Sequence, residues 1–415
     1  MKRTVLLAAV VAVVTTGVAC TKQDRPLLVG AVYPLSGSQG PGGGDEYRGV
    51  RLAVDMVDRE GGVQGRPVEL RSVDTPDADA APAAVDSLAA GGARFVLGSY
   101  GSTISLPAAR EAARRGLLFW ETGAVGDMTG SELGKLVFRV APTGATLGRS
   151  AVAFVANRLA PMLHRMPASL RFAVANVDDL YGRAVARGAV DEIHALGLPL
   201  AGQFPYDPLR PDLSATVRRI ALSKPDVLFV SAYLQDGVAL RRETVRQHLR
   251  LLASIGTSSS YCMPQFGIAL GRDAVGLFAS DKPDAGAINT QGLSPAARTL
   301  LAAANGEYRR RYGQEMSAAA LAGFSGAWGL LRSVMPEASA LTPAGVASAA
   351  LRVRLPQGSL PNGSGLDMGS PGTPDAGANL EAASVIWEWV AVGRREVVWP
   401  PAFATTGIRP LHIAW

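Results

Sequence analysis

The sequence is poor in the residues that build metal and redox centres. Two cysteines (Cys20, Cys262) and four histidines (His164, His194, His248, His412) are scattered over 415 residues, which excludes a disulfide framework and leaves little material for a zinc site. Charge is scarce too. Charged residues make up 18% of the chain and hydrophobic residues 48%, against a usual charged share of about 25%, so intrinsic disorder is excluded. The phosphate and nucleophile motifs are missing. No Gly-x-x-x-x-Gly-Lys-Ser/Thr occurs, the glycines of 37–44 have no following lysine, and Tyr47 stands where the third glycine of Gly-x-Gly-x-x-Gly belongs. Gly-x-Ser-x-Gly, His-Glu-x-x-His and Cys-x-x-Cys are also absent. No cofactor or metal is expected, and an enzyme, in the form of a secreted α/β hydrolase, would need a site assembled from distant residues.

The formal charge of +6 suggests nucleic acid only if the cations cluster. They do not. Arg114-Arg115, Arg218-Arg219, Arg241-Arg242 and Arg309-Arg310-Arg311 have acids nearby and no interleaved aromatic platform, the pattern of solvated helix faces rather than of a strand-binding groove. Nucleic acid is not an expected partner.

The amino terminus sets the compartment. Lys2-Arg3, the apolar run from Val5 to Val14 and the small residues Gly17-Val18-Ala19 before Cys20 have the form of a secretory signal, too short to span a bilayer. The cysteine after a small residue resembles the bacterial lipobox, with Gly17 where a leucine is usual, and would make Cys20 a lipid attachment point. Ordinary cleavage after Ala19, releasing a free periplasmic or secreted protein, is the alternative. Loss of residues 1–19 removes Lys2 and Arg3 and no acid, which lowers the charge from +6 to +4.

After a polar tether to residue 26, strand and helix periodicities alternate. Strands are expected at Leu27–Tyr33, Val68–Val73, Phe95–Gly98, Leu117–Trp120 and Val137–Val140, and again at Phe172–Asn176, Leu200–Phe204 and Val227–Val230. Helices fall between them: 46–59, 80–90, 104–115, 149–159, 183–196, 213–222 and 237–252. Residues 37–44 read as a flexible loop, 318–334 and 342–351 as late helices, 355–379 as a long loop and 385–392 as a closing strand. Such alternation implies parallel sheets covered on both faces, and the strands are too many for one sheet. The expected fold class is α/β, with two doubly wound Rossmann-like lobes and a ligand crevice at the strand carboxyl ends.

Candidate binding residues follow from those ends. Tyr100, Gly101 and Ser102 lie between a strand and a helix, where first-turn N–H groups suit a carboxylate; Ser102 as a simple N-cap is the alternative. Glu121, Gly123 and Ala124 end the next strand and offer carbonyls or a carboxylate to an ammonium, or Glu121 caps its own loop. Tyr181 and Tyr233, with Asp236 close behind, follow two strands of the second half and suit a cleft wall or ordinary packing.

The loop of 98–105 and Tyr181-Gly182, with Val29-Gly30-Ala31-Val32-Tyr33-Pro34-Leu35-Ser36-Gly37, Gly61-Gly62-Val63-Gln64-Gly65-Arg66-Pro67-Val68-Glu69-Leu70 and Val397-Val398-Trp399-Pro400, resemble the branched-chain amino-acid substrate-binding proteins of ABC transporters, of the type I periplasmic-binding fold. The likeness covers most of 27 to about 335 and returns near Val397. It implies two lobes joined by a three-crossing hinge that close on an amino acid, or a related amide or carboxylate. Tyr100, Gly101 and Ser102 match the carboxylate loop, Gly123 and Ala124 the second backbone loop, and Tyr181 and Tyr233 the wall. Where the family usually has a hydroxyl residue this chain has Val125, and the second-lobe acid would fall near Tyr261-Cys262, where no acid stands; Glu121 or Asp236 is the expected substitute. The implied segments are a signal peptide (1–19), a lipidated tether (20–26), an N-terminal lobe (27–142 with 292–383) and a C-terminal lobe (143–291 with 384–415). The implied protein is a monomeric lipoprotein anchored on the outer face of the cell membrane, with permease subunits as partners. A ligand-sensing receptor of the same fold is the alternative.

Overall fold

The computed structural model describes residues 25–209 and 211–409; the expected export signal of 1–19 and Cys20 lie outside them. The first sheet is all parallel. Its strands β1 (Leu27–Tyr33), β2 (Val68–Asp74), β3 (Phe95–Gly98), β4 (Leu118–Glu121) and β5 (Val137–Arg139) lie in the order β2-β1-β3-β4-β5. The second sheet repeats that order. Strands β6 (Phe172–Val177), β7 (Leu200–Tyr206), β8 (Val227–Ser231), β9 (Ala253–Thr257) and β10 (Phe278–Asp281) run parallel as β7-β6-β8-β9-β10. A two-stranded ribbon, β11 (Arg354–Leu355) and β12 (Leu366–Asp367), precedes the antiparallel pair β13 (Val385–Ala391) and β14 (Arg394–Trp399), which extends the second sheet beyond β10. In each sheet the winding direction reverses between the first and third strands, which opens a crevice at the strand carboxyl ends.

Helices α1 (Gly40–Arg59), α2 (Ala81–Ala90) and α3 (Ser102–Arg114) cover the first sheet. The second is covered by α4 (Gly144–Phe154), α5 (Ala160–Met162), α6 (Leu180–Ala195), α7 (Leu213–Leu222), α8 (Leu234–Arg246) and α9 (Pro264–Leu270). The chain then returns. Of α10 (Pro295–Tyr312), α11 (Ala318–Trp328) and α12 (Pro343–Ala350), α11 packs along α1. Gly49 faces the Ala320 backbone and Gly323 the Glu46 backbone so closely that neither position has room for a Cβ, and this backbone-on-backbone seam fixes how α1 sits over the cleft. The chain passes between the lobes three times, between β5 and α4, between β10 and α10, and between β12 and β13.

Three expectations are corrected. The flexible loop of 37–44 is largely helix, because α1 starts at Gly40 with Pro41 in its first turn; Gly42 lies against the Tyr100 ring and Gly43 against Pro34, where only glycine fits. The helix expected to reach Leu252 stops at Arg246, and two unexpected strands, β9 and β10, follow. The long loop of 355–379 covers an edge. Arg139 donates its N–H to the Gly377 carbonyl at 2.7 Å and accepts from Asn379 N–H at 2.9 Å, which satisfies the outer side of β5.

Candidate functional site

A cavity of about 510 Å³ lies between the carboxyl ends of the two sheets. From the first lobe Tyr100, Gly101, Ser102 and Gly123 line it, and from the second Tyr181, Tyr233, Asp281 and Lys282. Ser102 begins α3, so the first N–H groups of that helix open at the cavity. Its Oγ accepts from Gly126 N–H at 2.8 Å, which ties the β4–β5 connection to the binding loop. Tyr100 holds a positive φ of 73°, the turn that carries its ring over Gly42.

Glu121 does not face the cavity. It is wholly buried, and its carboxylate accepts the N–H groups of Ser99 (2.7 and 2.8 Å), Gly123 (2.8 Å) and Ala124 (2.8 Å) and the Ser105 hydroxyl. Burial pushes its carboxyl up, and those hydrogen bonds pull it back. One side chain thus shapes both first-lobe loops, and of the two readings offered by the sequence its loop-capping one is the arrangement observed. Ala124 is occupied by the same contact and is not among the lining residues.

Beside it, Glu46 of α1 accepts the Thr122 hydroxyl at 2.7 Å, while its Oε2 has no partner. Burial raises its pKa to about 8, against the opposing attraction of Lys282. Lys282, at the end of β10, donates to the Gly123 carbonyl at 3.0 Å. The carbonyl that the sequence reading offered to an ammonium is therefore held by the second lobe's own ammonium. Asp127 and Arg187 form an ion pair across the lobes.

The second-lobe tyrosines are less open than expected. Tyr181 is 2% exposed, its hydroxyl 2.8 Å from Thr257 Oγ1, and burial pushes it up to about 12. Tyr233 donates to Asp179 at 2.7 Å and packs its ring 5.2 Å from that of Tyr181. They form an aromatic wall with committed hydroxyls. Asp236 is elsewhere, accepting the Tyr206 hydroxyl, and is not among the lining residues.

The acid missing near Tyr261-Cys262 comes from β10. Asp281 is 2% exposed; its Oδ2 lies 2.7 Å from Cys262 Sγ, and its Oδ1 has no partner. Burial raises its pKa, Lys282 and the Cys262 contact oppose that, and burial beside Asp281 keeps the Cys262 thiol protonated well above its ordinary range. The expected helix of 237–252 ran up to the start of β9, and neither β9 nor β10 was expected from the sequence. The apolar runs 251–256 and 275–280, the second ending in Asp281-Lys282, are the signals that mark them.

The far wall is the β13–β14 hairpin, which brings Trp387, Trp389 and Arg395 to the cavity. Arg395 lies over the Trp387 ring, 4.0 Å from its centroid, and pairs with Asp284 at 2.7 Å. Among the described residues no group of three His, Cys, Asp or Glu side chains could hold a metal, and no helix is long and apolar enough to cross a membrane.

Residues 26–371 match the family described as periplasmic binding protein. The chain belongs to that family. Its members are extracytoplasmic solute-binding proteins rather than enzymes, and the two-lobed α/β architecture with its interlobe cavity is the family's type I fold. The chain is 28% identical over 368 residues to Leu/Ile/Val-binding protein homolog 8 of Brucella suis biovar 1, covering 88% of this chain and 89% of that one. In fold it is similar to a leucine-binding protein of Thermotoga maritima (TM-score 0.73, 16% identity, 89% and 97% of the two chains). It is similar likewise to the closed leucine-, isoleucine-, valine-, threonine- and alanine-binding protein of Brucella ovis (TM-score 0.71, 18% identity, 88% and 89%). For a periplasmic binding protein the recognising groups belong on both sides of the cleft, and here six of the nine candidate residues line it: Tyr100, Gly101, Ser102, Gly123, Tyr181 and Tyr233.

Proposed function

We propose that the protein captures an α-amino acid in the interlobe cleft and delivers it to the permease of an ABC importer. The observation that carries this reading is a partnerless acceptor, Asp281 Oδ1, on the second-lobe wall of a cavity whose first-lobe side is the start of α3. A ligand ammonium satisfies the acid and a ligand carboxylate satisfies the helix N–H groups, and both contacts exist only when the lobes are together. Binding therefore shifts the population toward the closed form. The names of the relatives, Leu/Ile/Val-binding proteins, support an amino-acid cargo.

Calorimetry of the mature chain against single amino acids tests this. Binding of at least one is expected, and Asp281→Asn should weaken it about 30-fold or more, because a buried ammonium would lose its counter-charge. Failure of every amino acid to bind would sink the reading.

The same proposal assigns 27–142 with 292–383 to one lobe and 143–291 with 384–415 to the other, and makes Cys20 the lipidated first residue after removal of 1–19. In cells, the wild-type protein should partition into a detergent phase and Cys20→Ala into the aqueous phase; equal partitioning of the two would refute the anchor.

A further inference from the structure

Arg395 does more at the far wall than pin the hairpin. Pinning uses its Nη2, on Asp284 at 2.7 Å, and the face of its guanidinium, on Trp387. The side chain is only 10% exposed, it lines the cavity, and Nη1 has no hydrogen-bond partner and is closed to solvent. A buried guanidinium N–H without an acceptor is costly, so the site favours a ligand that supplies one. The character of that acceptor follows from charge. Asp284 already compensates the guanidinium, and what remains is a hydrogen-bond donor rather than an unpaired cation; across the lining the acids Asp45, Asp281, Asp284 and Glu315 outnumber the cations Lys282, Arg394 and Arg395 and oppose a second anion.

We propose that Arg395 is a specificity-determining residue that reads a neutral carbonyl on the ligand side chain, so that the cargo is a carboxamide-bearing amino acid of the glutamine type rather than an aliphatic one. The inference rests on amino-acid capture in the same cleft, with Asp281 holding the ammonium. Cavity size agrees with it, since a pocket of about 150 Å³ already encloses a benzene-sized apolar group and this cavity is about 510 Å³. A leucine side chain would leave Nη1 unpaired. Sites built to hydrogen-bond a ligand group discriminate strongly against analogues that lack it.

The test is calorimetric titration of the mature chain with glutamine, leucine and glutamate. Glutamine should bind about tenfold or more tightly than leucine, and more tightly than glutamate. Arg395→Met should bring the glutamine-to-leucine ratio close to one. Asp284→Asn retains the Oδ1 that accepts Gly286 and Ala287 N–H at 3.0 Å but leaves Arg395 uncompensated, and should move the preference toward glutamate, a shift that a merely structural Arg395 would not produce. Leucine binding as tightly as glutamine, glutamate as the preferred ligand of the wild type, or ratios unchanged in both variants would each overturn the inference while leaving amino-acid capture intact. Absence of binding by all three, with binding of no other amino acid, would overturn both.

Discussion

Glu121→Ala is expected to abolish ligand binding and to lower the unfolding free energy by about 3 kcal/mol or more. The substitution strands the buried N–H groups of Ser99, Gly123 and Ala124 together with the Ser105 hydroxyl, and each such group costs about 1–3 kcal/mol when left without an acceptor. Both first-lobe loops lose their common anchor, so Gly101, Ser102 and Gly123 no longer keep the spacing that a rigid ligand requires. Glu121→Gln retains one carbonyl oxygen and should fall between the two. Chemical denaturation paired with calorimetry measures both effects. Wild-type affinity in Glu121→Ala would show that the loops hold their form without this carboxylate.

Glu46→Gln should make stability less dependent on pH and should stabilise the protein above pH 8. The folded-state pKa is raised from an ordinary value of 4.5 to about 8, chiefly by burial. Below pH 4.5 the carboxyl is protonated in both states. Between 4.5 and 8 the folded chain keeps a proton that the unfolded chain releases, so stability is lost as pH rises through this window. The loss amounts to roughly 5 kcal/mol. Glutamine at this position carries no proton to lose. Denaturation midpoints from pH 5 to 9 would test the idea, and parallel curves for wild type and variant would reject it.

Most of the first lobe was legible from sequence because its inner strands β1, β3 and β4 are short apolar runs closed by proline or a polar residue. Leu27–Tyr33 and Phe95–Gly98 emerge with the bounds read from the sequence, since a strand buried on both faces admits no polar residue until it ends. The second lobe was less legible where elements abut. Arg246 ends α8, and seven residues later β9 begins without a proline to separate them, so the expected helix ran on to Leu252, up to the edge of a strand that was itself missed. The glycines at 40–44 misled in the opposite sense. Local propensity argues against a helix there, and contact with Pro34 and Tyr100 decides for one.

The binding residues divide the same way. Tyr100, Gly101, Ser102 and Gly123 were readable because the segment that follows a parallel strand must leave from the sheet's carboxyl end whatever the rest of the chain does. Val125, where a hydroxyl residue was looked for, remains an apolar lining residue, and the charged contacts come from elsewhere.

By itself the sequence determined the repeated strand-helix winding, the two parallel sheets, the cleft and the loops of its first-lobe wall, since each depends on local periodicity and chain direction. Only the tertiary structure decided which charges meet there. Glu121 and Asp236 turn to internal hydrogen bonds, Lys282 crosses to Gly123, Asp281 supplies the acid that Tyr261-Cys262 lacks, and Arg395 arrives from a hairpin more than 100 residues later in the chain. Hydrogen-bond satisfaction and charge pairing at burial are set by neighbours in space, and a linear pattern holds no record of those.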